Sequence, residues 1–287
     1  LAEVLKATAG EGCLVNLHAP YFLKSAWTEI AAYLHQGGSL ISVGGAPFKR
    51  PVRDQDGAWV VESEQTAYHQ ELYIHEALNV YSGNIQTYAS SEQISLLAGK
   101  EGLFEIADTW NLVPHTTKSS DLPHQMGSAG PMSTQIYPLL SGVSKDERSI
   151  AAPIVLWENS RSTFAGSRWM FVNLPLTASF WEQDGANEIV KWAQFCAKGV
   201  TELSLKPNYA TYEPGERAVL TLQGQILQRA GDRRTSSELW TFDLTVERED
   251  RTSGTAEKVW SHRLQMELSG EQQFVRLPLP VSVESGL

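Results

Sequence analysis

Two hydrophobic periodicities divide this chain, and they meet at Gly199. Before it, apolar residues recur at helical spacing or in short unbroken runs; after it, they alternate with polar ones. Leu1, Val4 and Leu5 predict a helix over Leu1 to Ala9, ended by Gly10 and Gly12. Cys13 to Leu17 reads as a buried strand. Phe22 to His35 reads as the next helix, with Trp27, Ile30, Ala31 and Leu34 on one face and Gly37-Gly38 as its C-terminal cap. Leu40, Ile41 and Val43 form an apolar run too short for a helix, closed by a turn of small residues, Gly44-Gly45-Ala46-Pro47. This order of helix, strand, helix and strand is that of a parallel sheet.

From Val52 to Ile150 the pattern weakens. Trp59 to Val61 suggests a strand, Gln70 to Asn79 a short helix, and Leu103, Phe104 and Ile106 a strand or buried turn. Thr109 to Pro138 has no periodicity and reads as an insertion or a lid. Ala151 to Trp157 and Arg168 to Leu174 form a hairpin, and Ser179 or Asp184 caps a helix over Ala186 to Ala197. Five period-two runs then follow in TELSLKP, RAVLTLQGQI, SELWTFDLTVERE, EKVWSHRLQMEL and EQQFVRLPL, an antiparallel pattern that suggests an immunoglobulin-like sandwich. The expected organisation is an α/β domain over residues 1–199 and an all-β sandwich over 200–287. Both ends read as cuts in a longer polypeptide, because Leu1 opens on a helix and Leu287 falls where a further strand is due.

Composition narrows the function classes. A length of 287 residues accommodates two domains, and a net charge of −10 argues against a nucleic-acid partner. No run reaches the ~20 apolar residues of a membrane span. Cys13 and Cys196 lie inside apolar runs, as unreactive thiols do, and make no zinc motif.

The candidate chemistry is sparse. In open α/β sheets ligands sit beyond the carboxyl ends of strands, which selects the Gly44 to Arg50 loop, with Phe48 and Arg50 as candidate ligand contacts. His69, Glu71, His75 and Glu76 cluster in YHQELYIHEAL, but Asn79 stands where a His-Glu-x-x-His peptidase needs its second histidine. His115 and His124 read as loop histidines. Glu158, Glu182 and Asp184 are the least implausible acids for glycoside hydrolysis. Gly127-Ser128-Ala129-Gly130 lacks the strand-then-helix setting of a nucleophile elbow. Of nine tryptophans, Trp27, Trp169 and Trp192 fall on buried faces, whereas Trp59, Trp110 and Trp181 fall in or beside loops where an indole can stack on sugar. The ligand candidates are therefore Phe48, Arg50, Trp110 and Trp181, with no catalytic residue, metal or cofactor assigned.

The segments CLVNLHAP, AAYLHQGG and SLISVGGAPF, together with AAPIVLW and WMFVNL, resemble the class I glutamine amidotransferase-like superfamily in its non-catalytic branch. These are the flavodoxin-like domains appended to bacterial glycoside hydrolases, such as the β-galactosidase trimerisation domain. The resemblance implies a flavodoxin-like parallel sheet. It also implies an accessory role in assembly or substrate positioning, with neighbouring domains of the same polypeptide and carbohydrate as partners. Catalytic amidotransferases place a cysteine on a strained turn, where this chain has Val43-Gly44-Gly45, and a glycine cannot attack an amide. The alternative is an enzyme acting on a sugar-derived substrate through the Gly44 to Arg50 loop and the Thr109 to Pro138 lid.

Overall fold

The computed structural model describes residues 1–8, 12–114, 134–227, 237–249 and 255–282. The chain divides into two compact units, one of Leu1–Val200 and one that opens at Thr201. The first begins with α1 (Ala2–Thr8), β1 (Cys13–Asn16), β2 (Tyr21–Leu23), α2 (Trp27–His35) and β3 (Ser39–Val43). Next come β4 (Arg50–Gln55), β5 (Ala58–Val61), α3 (Ala67–Glu71), β6 (Ile74–Val80), β7 (Thr87–Ser90) and β8 (Thr109–Pro114). β9 (Thr134–Val143), β10 (Ser149–Asn159), β11 (Arg168–Val172), α4 (Ala178–Glu182) and α5 (Gly185–Ala197) complete it.

Its central sheet has six strands in the order β1-β3-β11-β10-β9-β7. β1, β3 and β11 are parallel, and the other neighbours are antiparallel. This overturns the expected flavodoxin-like α/β domain, because the sheet is mixed and, over the described residues of both units, strand accounts for 47% and helix for only 22%. The described residues between β3 and β9 are spent largely on short strand pairs instead of crossover helices. β2, β4 and β5 form one small sheet, and β6 and β8 form another.

Two local expectations change for the same reason, that tertiary pairing overrides a short helical pattern, and a third changes where an aperiodic stretch gains strands. Phe22 lies in β2, pairs with Pro51 of β4 and packs its ring against Trp27 at 5.2 Å. The helix expected over Gln70 to Asn79 is split, since α3 ends at Glu71, Tyr73 turns at φ 61°, and Ile74–Val80 pairs with β8. The ends of the aperiodic stretch are the strands β8 and β9, and residues 115–133 lie outside the described residues. The β4–β5 hairpin had a readable signal in Asp56-Gly57, whose φ values of 55° and 82° suit a two-residue turn.

β3 is buried along its whole length. Ile41 and Val43 pack with Met170, Val172, Trp192 and Cys196 on the α5 side. Leu40 packs with Trp169, Phe171, Ile30 and Leu34 on the α2 side. Tyr33 belongs to that second cluster, and its hydroxyl donates to the Ser39 carbonyl at 3.1 Å. Gly37, at φ 83°, ends α2, while the Gly38 N–H closes on the Tyr33 carbonyl at 3.0 Å. The Gly38 carbonyl in turn accepts from Trp169 Nε1 at 3.0 Å.

In the second unit the five alternating runs become β12 (Thr201–Pro207), β13 (Arg217–Ile226), β14 (Glu238–Glu249), β15 (Ala256–Leu268) and β16 (Gln273–Ser282). They form an antiparallel sheet β12-β13-β16 and a two-stranded sheet β14-β15. A core of Leu222, Met266 and Leu268 is flanked by Trp240, Phe242 and Val275. The immunoglobulin-like expectation is not supported. Among the described residues there are sheets of three and two strands, and β14 and β15, of 12 and 13 residues, pair with each other.

Trp169 is fully buried, with Phe164 at 4.6 Å and Phe171 and Trp157 at 6.4 and 6.5 Å. Replacing Trp169 with Ala should therefore lower the unfolding free energy by about 3–5 kcal/mol in urea denaturation. Trp169→Phe, which keeps most of the volume but orphans the Gly38 carbonyl, should cost about 1–3 kcal/mol. An Ala variant as stable as the parent would refute this central role.

Candidate functional site

Three parallel strands end side by side, and their last residues define the candidate site. β1 closes on Val15-Asn16, β3 runs into Val43-Gly44-Gly45, and β11 runs into Val172-Asn173. Backbone bonds lace these ends together. The Gly44 N–H donates to the Val172 carbonyl at 2.9 Å, and the Ala19 N–H to the Val43 carbonyl at 2.7 Å. The loop after β3 is tied to the loop after β1 by Phe48 N–H to the Ala19 carbonyl at 2.8 Å and Arg50 N–H to the Pro20 carbonyl at 2.6 Å.

Gly44 and Gly45 have φ values of 102° and 134°, a region that L side chains rarely adopt. A Cβ built on Gly45 would lie 3.4 Å from Trp110 Cζ3 and 3.7 Å from Pro20 Cγ, so the indole sits over the turn. Trp110 reaches this place because β8 is anchored to the end of β11. The Asn173 carbonyl accepts from the Trp110 N–H at 3.1 Å and from Thr109 Oγ1 at 2.7 Å. Asn111 extends the anchor to β10, donating to the Ile150 carbonyl at 3.0 Å and accepting from the Ala152 N–H at 2.8 Å.

Asn173 is the hub of this arrangement. Its N–H donates to the Pro153 carbonyl at 2.7 Å and its Nδ2 to the Ala152 carbonyl at 3.3 Å. Its Oδ1 is buried without a hydrogen-bond partner, as is Ser42 Oγ on β3. On the opposite side Asn16 donates from Nδ2 to the Tyr21 carbonyl at 3.0 Å and accepts the His18 N–H through Oδ1 at 3.0 Å. The accessible part of the site is thus the half-buried Trp110 indole and Asn16 amide, since Asn173 is fully buried. Such groups bind hydroxyls and ring faces, and none of them is a nucleophile.

The sequence candidates are only partly brought together. Trp110 joins the Gly44–Gly45 turn. Phe48 is 1% exposed, with its ring against Trp27 at 5.3 Å and Phe22 at 5.6 Å, so it serves as core and offers no face to a ligand. Arg50 is exposed beside Glu64, at 4.0 Å. Trp181 lies on α4, half-exposed and edge-on to Phe180 at 5.2 Å. Asn16 and Asn173 were missed, although each follows a short apolar run ending in valine, CLVN and MFVN, and that repeat was the available signal.

The candidate acids do not converge on this site. Glu158 pairs with Arg168 at 2.6 Å at the start of β11, the end opposite Asn173, and Arg168 also lies over the Phe195 ring at 4.3 Å. Glu182 and Asp184 are exposed, and Asp184 accepts from Asn187 Nδ2. Burial pushes the Glu188 carboxyl up, but Lys100 and Lys191 more than offset this and hold it below the usual range. Glu71 accepts from Trp27 Nε1 at 2.9 Å, and His75 and Glu76 lie on β6, so the expected helix face of His and Glu does not form. Among the described residues no group of three or more His, Cys, Asp or Glu is placed to hold a metal. His115, His124 and the Gly127 to Gly130 segment fall outside the described residues. Cys196 is fully buried and Cys13 half-buried, both in or against the α5-side core.

Gly45→Ala should destabilise the protein by about 1–2 kcal/mol, because alanine is strained at this φ although its methyl would only touch the indole at 3.4 Å. Gly83→Ala, where φ is not positive and nothing lies within 4 Å, should be nearly neutral. Parallel urea titrations check the pair, and equal effects would argue against a strained turn.

No family model matches the sequence, and no curated protein does. Among solved structures the chain is similar to the cold-adapted β-galactosidase of Rahnella sp. R3, with a TM-score of 0.34, 10% identity, and coverage of 96% of this chain and 36% of that one. It is also similar to Gan42B, a GH42 β-galactosidase of G. stearothermophilus, with a TM-score of 0.33, 8% identity, and coverage of 93% and 32%. The β-galactosidase of Bacillus circulans sp. alkalophilus gives 0.32, 9% identity, and coverage of 92% and 33%. The chain spans about a third of the length of these structures, between 32% and 36%.

Proposed function

We propose that this chain is a non-catalytic accessory portion of a large bacterial glycoside hydrolase, with the first unit positioning carbohydrate or supporting assembly. The observation that carries this reading is the Trp110 indole over the Gly44–Gly45 turn, at strand ends where the Asn16 amide is partly exposed. An indole face stacks on the C–H face of a sugar ring, and amides exchange hydrogen bonds with its hydroxyls. The carboxylate pair that glycoside hydrolysis requires has no counterpart in this group, since Glu158 is held by Arg168 at the other end of β11. Flanking domains of the same polypeptide would supply the chemistry.

The test combines binding with turnover. Affinity electrophoresis of the chain through a panel of soluble polysaccharides should show retardation by at least one of them. Trp110→Ala should weaken that interaction about tenfold, the loss of roughly 1.4 kcal/mol of stacking. Aryl glycosides and glutamine should not be hydrolysed. Turnover that Glu158→Gln or Glu182→Gln abolishes at an unchanged melting temperature would replace this reading with that of an enzyme. Binding that Trp110→Ala leaves intact would move the sugar contact elsewhere, and no binding to any polysaccharide would leave assembly as the role.

A further inference from the structure

Among the described residues His69 is the one histidine buried completely, at 0% exposure, and neither of its ring nitrogens has a hydrogen-bond partner. A neutral imidazole always carries one donor and one acceptor, so both polar groups are left unpaired in a region closed to solvent. The ring sits on α3, beneath the loop that runs from Gly44 to Arg50. The Pro47 carbonyl lies beside it without the geometry of a hydrogen bond. Lys49 of the same loop, Glu64 after β5 and His75 of β6 are the charged or titratable groups that act on it from neighbouring elements. Tyr68 and Glu71 are those on its own helix. Glu71 is taken by Trp27 Nε1, and Tyr68 packs against Phe22 and Trp27.

We propose that His69 is an acid-operated latch on the Gly44–Arg50 loop. Neutral, it allows the loop to close against α3 over the strand ends. Protonated, it places a cation in a dry site next to Lys49, and the loop and α3 must separate to hydrate it. Glu64, the only carboxylate among the described residues that acts on it, is already paired with Lys49 and lies 4.0 Å from Arg50. Its contact with Lys49 holds it below the usual carboxylate range, so it stays ionised while His69 titrates but is not free to serve as its counter-ion. The consequence is local because Phe48, held in the left-handed region at φ 53°, depends on the closed loop to keep its ring between Phe22 and Trp27. Opening would release that strain and uncover the Gly44–Gly45 turn.

The direction follows from linkage. Desolvation, reinforced by the Lys49 charge, lowers His69 from 6.5 to about 4 in the closed state, and an opened loop returns it to its ordinary value. Closure is therefore favoured in full above pH 6.5 and is lost progressively as the pH falls toward 4. At pH 5 the ratio of open to closed loop should be about 30-fold higher than at pH 7.5.

Hydrogen exchange of the full chain, corrected for intrinsic rates, tests this at pH 7.5 and 5.0. The expected result is a rise of about 30-fold in the opening of residues 44–50 and 67–74, with α5 unchanged, and loss of that rise in His69→Gln and His69→Phe. The proposal is overturned if the parent protein changes less than threefold in those segments, or if α5 responds equally, which would be global unfolding. A response that persists in either folded variant also overturns it. If neither variant folds, the imidazole proton resonance of His69 in the parent decides: titration near 6.5 in the folded protein overturns the latch, and titration near 4 together with the exchange response supports it. The sugar reading is independent, since its failure with Trp110→Ala leaves this pH response unaffected.

Discussion

The first unit depends on a strand that has no face to water. All five residues of β3 are buried, so both sides of the sheet must be covered at that point. α5 covers one side and α2 with its aromatic neighbours the other. Even the two serines of β3 are enclosed. Ser39 answers this by donating to the Cys196 carbonyl at 2.7 Å and accepting the Arg168 N–H at 3.3 Å, which ties α5 and β11 to the start of the strand. Ser42 Oγ has no such partner. The start of β3 is thus satisfied and rigid, while its far end carries unpaired polar groups.

That contrast places the unusual local geometry at one end of the sheet. Gly44, Gly45 and Phe48 all take positive φ within five residues, and only two of them are glycines. Such a loop persists when its surroundings over-determine it. Here the surroundings are four backbone bonds from the loops after β1 and β11, the Trp110 indole above, and the Phe22, Trp27 and Tyr68 rings below. Asn173 connects the layers, since one residue bonds to β8 and to the segment of β10 that faces it. Its Oδ1 and the His69 ring nitrogens are both buried without hydrogen-bond partners, so unmet hydrogen-bonding capacity accompanies the backbone strain.

Charged groups elsewhere act as clamps. Glu188 with Lys100 and Lys191, Glu158 with Arg168, and Glu62 with Lys24 each join segments far apart in sequence or adjacent strands. Of the acids singled out in the sequence, Glu158 is held in this way by Arg168, whereas Glu182 and Asp184 are exposed at the end of α4 and just before α5.

Local chemistry alone determined those elements whose pattern was long or unambiguous. The helix at Ala186 to Ala197, the apolar run of β3, the β10–β11 hairpin and the five alternating strands after Gly199 were legible because their periodicity exceeds what chance composition produces. So was the glycine pair that ends β3. What the sequence could not decide was pairing. Phe22 and His75 sit in runs compatible with either a helix or a strand, and both became strand when β4 and β8 offered hydrogen-bond partners. The direction of the sheet was only half legible, since the β10–β11 hairpin was readable but the antiparallel pairing of β10 with β9 was not. Phe48 looked like a loop aromatic and is core because Trp27 and Phe22 close on it, whereas Trp110 became a site residue because Asn173, 63 positions later, holds its backbone. Periodicity is a property of neighbours in sequence, but burial and partnership are properties of neighbours in space, and only the folded chain brings those together.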